Sequence, residues 1–320
     1  MAGSFRIAVV GSGAVGCYYG VRLASAGEDV NFLIRGDVEE VRQFGLRIRG
    51  KNEEIHLPNV QHQPSVDKIG SCDLVVIAVK ATSNHDLIEL VPPLLHDKTV
   101  LLTLQNGLGN EEFLAKNFGP QRVLGGLCFI CLNRVSRGVI EHYGYGHVVL
   151  GEYQRSSQPR THEITAAFKR SGVPCEVVEN LALERWRKLI WNVPFNGLSV
   201  VTGGKDTASI LSDPELRSEC LALMQEIILA ANKCGFPLPA EAADELVKRT
   251  ESMGAYKTST LIDFEAGRPL EIEAIWGEPL RRATAAGAPA PRLQILYEKL
   301  KAMNSIGRSD PRSIATGVTR

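Results

Sequence analysis

The turn Gly11-Ser12-Gly13-Ala14-Val15-Gly16 follows the apolar run Ile7-Ala8-Val9-Val10 and opens a segment with helical spacing that ends at Gly27. In a strand–turn–helix of this kind, Gly11 permits the tight turn, Gly13 lets the backbone approach a pyrophosphate, and Gly16 lets helix and strand pack closely. The helix start adds N–H donors and the positive end of a dipole for phosphates. The chemistry implied is the holding of a nicotinamide dinucleotide. The run after the helix reads Asn31-Phe32-Leu33-Ile34-Arg35-Gly36. It ends on Arg35, where NAD binders usually carry an acid for the ribose 2′-hydroxyl. A guanidinium there suits a 2′-phosphate, so NADPH is favoured over NADH as cofactor. Asp37 comes two residues after Arg35 and reads as a helix cap.

Further polar residues stand where ligands of such a fold bind. Lys80 follows the apolar run Val75–Val79, and Asn106 follows Leu101–Gln105. Both are predicted at carboxyl ends of parallel strands, the edge at which open α/β sheets bind ligands. Farther on, Lys188, Asn192 and Asn196 are spaced i, i+4, i+8 among apolar and aromatic neighbours. They share one helical face if Pro194 only kinks the helix. A lysine on that face is protonated at neutral pH and could donate a proton; a solvated lysine with two capping asparagines fits the spacing equally well. Glu271 opens a predicted helix, where a carboxylate also serves as a plain dipole partner.

The elements that must position these residues change character along the chain. Arg6–Val10, Val30–Ile34, Leu74–Val79 and Val100–Leu104 read as strands buried on both faces and separated by helices, which means a parallel sheet covered on each side. From Val123 to Tyr153, three β-rich runs parted by Arg137-Gly138 and Gly144-Tyr145-Gly146 are predicted as antiparallel additions. A helix from Thr161 to Arg170 and a strand from Val173 to Val178 close this half. After Asn180 the pattern is helical: Leu183–Asn192, Asp213–Lys233, Ala240–Glu251, Glu271–Ala286 and Arg292–Met303 carry i, i+3, i+4 apolar spacing. The polar last dozen residues are expected to fray. The fold class is therefore α/β, with a Rossmann-type dinucleotide-binding domain over residues 1–180 and an all-helical substrate and catalytic domain over 181–320.

Composition excludes several functions. Lys plus Arg and Asp plus Glu both number 36, which removes the electrostatic case for nucleic acid or an anionic membrane as partner. No apolar run approaches the ~20 residues of a membrane span. The seven scattered cysteines and the lack of a basic leader before Ile7 point to reduced thiols and a cytoplasmic location. Cys128 and Cys131 form one isolated CxxC inside an apolar run and read as structural, since a zinc site wants a second ligand pair. No metal is expected. A homodimer is left open.

Taken in order, GSGAVG at Gly11–Gly16, Arg35, Lys80, QNG at Gln105–Gly107, WRKLxxN at Trp186–Asn192 and the segment Ser259–Glu271 resemble the ketopantoate reductase family. The resemblance runs nearly end to end. It implies NADPH-dependent reduction of a small 2-oxo acid, 2-dehydropantoate, to pantoate. It also implies that Lys188 is the general acid, that Glu271 is its carboxylate partner and a substrate contact, and that Asn106, Asn192, Asn196 and Ser259 are substrate ligands. Lys80 and Asn106 would lie near the nicotinamide. Two positions depart from the family pattern: Pro194 falls between the asparagines, and Thr260 replaces a methionine after the serine. Two other functions fit the residues: a reductase or dehydrogenase of another branched 2-oxo or 2-hydroxy acid, and a non-catalytic NADPH sensor, which would not need Lys188 and Glu271 together.

Overall fold

The computed structural model describes residues 4–51 and 53–309, with side chains to residue 304. The expected fraying of the last dozen residues falls almost wholly outside them. The chain divides into two compact units between Leu181 and Ala182.

The described residues of the first unit carry ten strands in one mixed sheet. They are β1 (Arg6–Val10), β2 (Asp29–Leu33), β3 (Leu46–Gly50), β4 (Glu54–Leu57), β5 (His62–Gln63), β6 (Leu74–Ile77), β7 (Val100–Thr103), β8 (Val123–Ser136), β9 (Val139–Glu152) and β10 (Cys175–Val177). Their order is β4-β3-β9-β8-β7-β6-β1-β2-β5, with β10 also on β9. Every neighbouring pair from β5 through β2, β1, β6 and β7 to β8 is parallel. The chain runs from β1 outward to β2 and then returns to the other side of β1 with β6. That reversal is the topological switch point, where α/β sheets of this kind bind ligands.

Helices α1 (Ala14–Ser25), α2 (Val38–Phe44), α3 (Leu87–Leu90), α4 (Asn110–Phe118) and α5 (Pro159–Arg170) connect the strands. The continuous apolar run of β1 has a simple cause. Ile7 and Val9 pack into one core with Tyr19 of α1 and Phe168 of α5, while Ala8 and Val10 pack into another with Leu87 and Leu114. The three runs expected between Val123 and Tyr153 are two strands of 14 residues each. Gly144-Tyr145-Gly146 does not break β9. Tyr145 at φ 62° and Gly146 at φ 128° absorb a register shift against Phe129 and Ile130, so the ladder continues through a bulge. β8 is also parallel to β7 rather than an antiparallel addition to it.

The second unit is helical: α6 (Leu181–Val201), α7 (Thr207–Ser212), α8 (Pro214–Lys233), α9 (Ala242–Glu251), α10 (Ser259–Glu265), α11 (Glu278–Ala285) and α12 (Pro291–Ser309). Asp213 accepts from the N–H groups of Glu215 and Leu216 at the start of α8, with Pro214 at its first position. The helix expected from Glu271 to Ala286 is in two parts, a π turn over Glu273–Gly277 and then α11. Pro279 has no N–H for the carbonyl of Ile275, which disfavours a regular turn there. Among the described residues, no helix is long and apolar enough to cross a membrane.

Two contacts in the first unit have measurable consequences. The Glu152 side chain is fully buried at the end of β9, where Arg155, Arg160 and the Thr161 hydroxyl donate to it. Burial alone would raise its carboxyl, but the hydrogen bonds from Arg160, Thr161 and Arg155 outweigh burial and hold it below the usual range. A depressed folded-state value means the stabilisation is present above the unfolded carboxyl pKa and lost as pH falls through the folded one. Glu152→Ala should therefore cost about 2–3 kcal/mol at neutral pH, less than a fully buried pair because both arginines reach solvent. Urea unfolding should show this deficit shrinking below about pH 4, and a pH-independent deficit would contradict it. In the glycine turn, a Cβ on Gly16 would lie 2.0 Å from the Gly11 carbonyl oxygen, whereas one on Gly13 meets nothing within 4 Å. Gly16→Ala should destabilise by about 1–3 kcal/mol, while Gly13→Ser should stay within about 0.5 kcal/mol because serine is a good N-cap. Equal effects of the two would be inconsistent with this packing.

Candidate active site

The glycine turn joins β1 to α1 at the switch point. Gly11 has φ +111°, and a Cβ on it would sit 2.4 Å from the Val79 nitrogen, so the chain end of β6 presses directly on the turn. Gly13 is the N-cap of α1, and no side chain caps that helix. Ala14 and Val15 are half-buried in its first turn, and Gly16 is buried. The Ser12 hydroxyl donates to the Leu33 carbonyl at 2.8 Å, which fastens the turn to the end of β2. The Ser12 carbonyl in turn accepts from the Cys17 thiol at 3.2 Å and from Arg134 Nη1 at 3.0 Å. Burial pushes the Cys17 thiol up to about 11, against the opposing charge of Arg134, so it stays a neutral donor.

Arg35 lies one residue beyond Ile34, is exposed, and makes no ion pair among the described residues. Asp37 occupies the N-cap position of α2, but its side chain makes no capping bond. Its carboxylate instead pairs with Arg134 and lies 3.8 Å from Arg137. The open space at Gly13, the uncapped start of α1 and the uncommitted guanidinium of Arg35 fit the phosphates of a dinucleotide.

Lys80 and Asn106 follow β6 and β7, adjacent parallel strands whose carboxyl ends share an edge with the turn. Lys80 is half-buried and leads into a 3-10 turn over Ala81–Asp86. A relay of amides sets the loop that carries Asn106. The Thr103 hydroxyl donates to Gln105 Oε1 at 2.9 Å, Gln105 Nε2 to Asn84 Oδ1 at 2.7 Å, and Asn84 Nδ2 to Asn110 Oδ1 at 3.0 Å. Asn110 Nδ2 then donates to the Asn106 carbonyl at 2.9 Å. Gln105 and Asn110 are buried, so this relay is shielded from water and holds the loop after β7 against the turn after β6.

In the second unit, α6 continues through Pro194, so Lys188, Asn192 and Asn196 lie on one face within roughly 80° of arc. Lys188 is half-buried, and both asparagines are buried. Asn196 Oδ1 accepts from the backbone N–H of Thr260 at 3.4 Å, which brings this face to the start of α10, where Ser259 is exposed. Glu271 is buried, and its carbonyl accepts from the Ile275 N–H at 3.1 Å, which ties it to the turn that follows. Trp276, fully buried in the π turn, donates its indole N–H to the Val193 carbonyl at 3.0 Å. The segment after Glu271 is thereby tied to the kink between the two asparagines.

Sequence reasoning missed Arg134, Asn84, Asn110 and Trp276. The two asparagines follow apolar strands and carried a weak signal. Arg134 and Trp276 act across 122 and 83 residues of chain, and no local pattern marks them. Cys128 and Cys131 are buried and form no disulfide, and no group of three or more His, Cys, Asp or Glu among the described residues could hold a metal.

Comparison with known proteins identifies the family. The family model "Ketopantoate reductase PanE/ApbA" matches residues 7–155, and its C-terminal companion matches residues 180–304. The chain is 40% identical over 309 residues to the 2-dehydropantoate 2-reductase of Nostoc sp., covering 95% of this chain and 97% of that one. It resembles the crystal structure of 2-dehydropantoate 2-reductase from Geobacter metallireducens at 41% identity and a TM-score of 0.90, over 93% of this chain and 99% of the other. The corresponding structure from Methylococcus capsulatus matches at 34% identity and a TM-score of 0.86, over 94% and 97%. The chain belongs to the ketopantoate reductase family.

Proposed function

We propose that this chain reduces 2-dehydropantoate to pantoate with NADPH, the first unit holding the cofactor and the second the substrate. The observation that carries the proposal is the half-buried Lys188 on the same helical face as buried Asn192 and Asn196. Gly11 to Gly16 and the start of α1 would hold the dinucleotide phosphates, Arg35 its 2′-phosphate, and Lys80 and Asn106 its nicotinamide end. When bound, NADPH supplies the hydride that reduces the C2 carbonyl. Lys188 donates a hydrogen bond to that carbonyl oxygen from Nζ and then hands it a proton as negative charge develops. Glu271, buried and acceptor-only when ionised, orients the lysine and accepts from a substrate hydroxyl. Asn192, Asn196 and Ser259 hold the remaining polar groups of the acid. The oxygen of Asn196 is engaged by Thr260, so its amide N–H₂ is the part offered to a carboxylate or carbonyl. The lack of disulfides among the described cysteines supports a reducing, cytoplasmic setting.

A second reading keeps the reaction and changes the acid. Pro194 and Thr260 both border the proposed substrate groups and depart from the family pattern, and either could favour another branched 2-oxo acid.

Replacing Lys188 by Ala should lower kcat for 2-dehydropantoate at least ~100-fold, the usual scale for a positioned acid, with NADPH binding retained. Near-normal turnover in Lys188→Ala would remove the lysine from the mechanism. For the cofactor, titration of protein fluorescence should show Arg35→Ala binding NADPH about 10- to 100-fold more weakly, with NADH affinity unchanged. An equal loss for both dinucleotides would contradict a 2′-phosphate contact.

A further inference from the structure

Beside the glycine turn, three arginines face two carboxylates. Arg134 pairs with Asp37, Arg137 pairs with Glu40 and approaches Asp37, and Arg35 makes no ion pair among the described residues. Asp37 is the most sheltered of the paired groups, with 15% of its side chain exposed against 33% for Arg134 and 65% for Arg137. Arg134 comes from β8, the first strand of the long hairpin, and its other nitrogen donates to the Ser12 carbonyl inside the glycine turn. One side chain therefore touches both the turn and the acid two residues beyond Arg35.

The charge balance gives this contact a role. With Arg134 in place, each carboxylate has a cation and Arg35 is left over, so the surface after β2 carries one net positive charge. Without Arg134 the surface is neutral, and Asp37 keeps only the 3.8 Å approach of Arg137. An acid just after β2 is the feature that selects NAD, because it accepts from a ribose 2′-hydroxyl and repels a phosphate.

We propose that Arg134 is a specificity-determining residue for the dinucleotide: by covering Asp37 it keeps the end of β2 cationic and so favours a 2′-phosphorylated cofactor. This rests on the NADPH reading above. The bond to Ser12 places the guanidinium at the turn itself, and the pair with Asp37 engages the acid's charge. Asp37 is thus a latent NAD-type acid masked by an arginine from a distant strand.

Calorimetric titration of the full chain with NADPH, NADH and adenosine 2′,5′-bisphosphate tests this without turnover. Arg134→Gln should weaken NADPH and the bisphosphate about tenfold and NADH less than about twofold, the scale expected when a carboxylate a few ångströms from a phosphate loses its partner. Adding Asp37→Asn to that variant should restore most of the lost affinity, and Arg134→Lys, which keeps the charge, should stay within about threefold of wild type. If Arg134 only braced the turn, NADPH and NADH would weaken together and the double variant would not recover; that result overturns the assignment. Wild-type binding of NADH as tight as NADPH would instead overturn the cofactor reading, and this inference with it.

Discussion

The first turn of the fold leaves no room for a side chain at Gly11 or Gly16, and much of the first unit is arranged around that close approach. The Gly11 backbone touches the end of β6, and Gly16 lies against the Gly11 carbonyl, so β1, α1 and β6 meet at a single point. That point is where the strand order reverses, and it leaves the start of α1 uncapped and facing outward. Ser12 is then fastened from three directions, by β2 through Leu33, by α1 through Cys17 and by β8 through Arg134. A turn held this firmly presents its N–H groups in a fixed direction, as a phosphate cradle requires.

The second unit uses the opposite strategy, irregular helix held by specific bonds. Pro194 cannot donate to the Ile190 carbonyl, and the turn after Glu271 is a wide π turn. Both irregularities sit next to polar residues that need fixed directions. Trp276 joins them by donating to the carbonyl just before Pro194, and Asn196 is held by the start of α10. The polar face of α6 is thus positioned by neighbours on two separate segments rather than by helix periodicity alone.

Much of this was legible in the chain because it is local. The glycine turn, the apolar runs of β1, β6 and β7, the i+4 spacing of Lys188, Asn192 and Asn196, and the Asp213–Pro214 helix start are all set by residues within a few positions of one another. The short strands β3 and β4 were not, since Leu46–Gly50 and Glu54–Leu57 are too brief for alternation to stand out. The inner of the two, β3, pairs with the distant β9. The bulge at Tyr145-Gly146 was misread as a break because glycine marks both turns and bulges. Asp37 was read as a cap because its position suits one; its actual partners come from β8 and the turn after it, which no local pattern could reveal.

The central claim is that the residues along α6 and at Glu271 recognise a branched 2-oxo acid bearing a hydroxyl, with hydride delivered from a dinucleotide held on the glycine turn. The most direct measurement is kcat/KM from NADPH absorbance for 2-dehydropantoate beside a panel of branched 2-oxo acids that includes 3,3-dimethyl-2-oxobutanoate, which lacks only the hydroxyl. The account predicts that 2-dehydropantoate leads the panel by about tenfold or more, because a site built to bond a hydroxyl rejects the analogue without it. A hydroxyl-free acid turned over equally well, or no NADPH oxidation with any acid while the dinucleotide still binds, would contradict it.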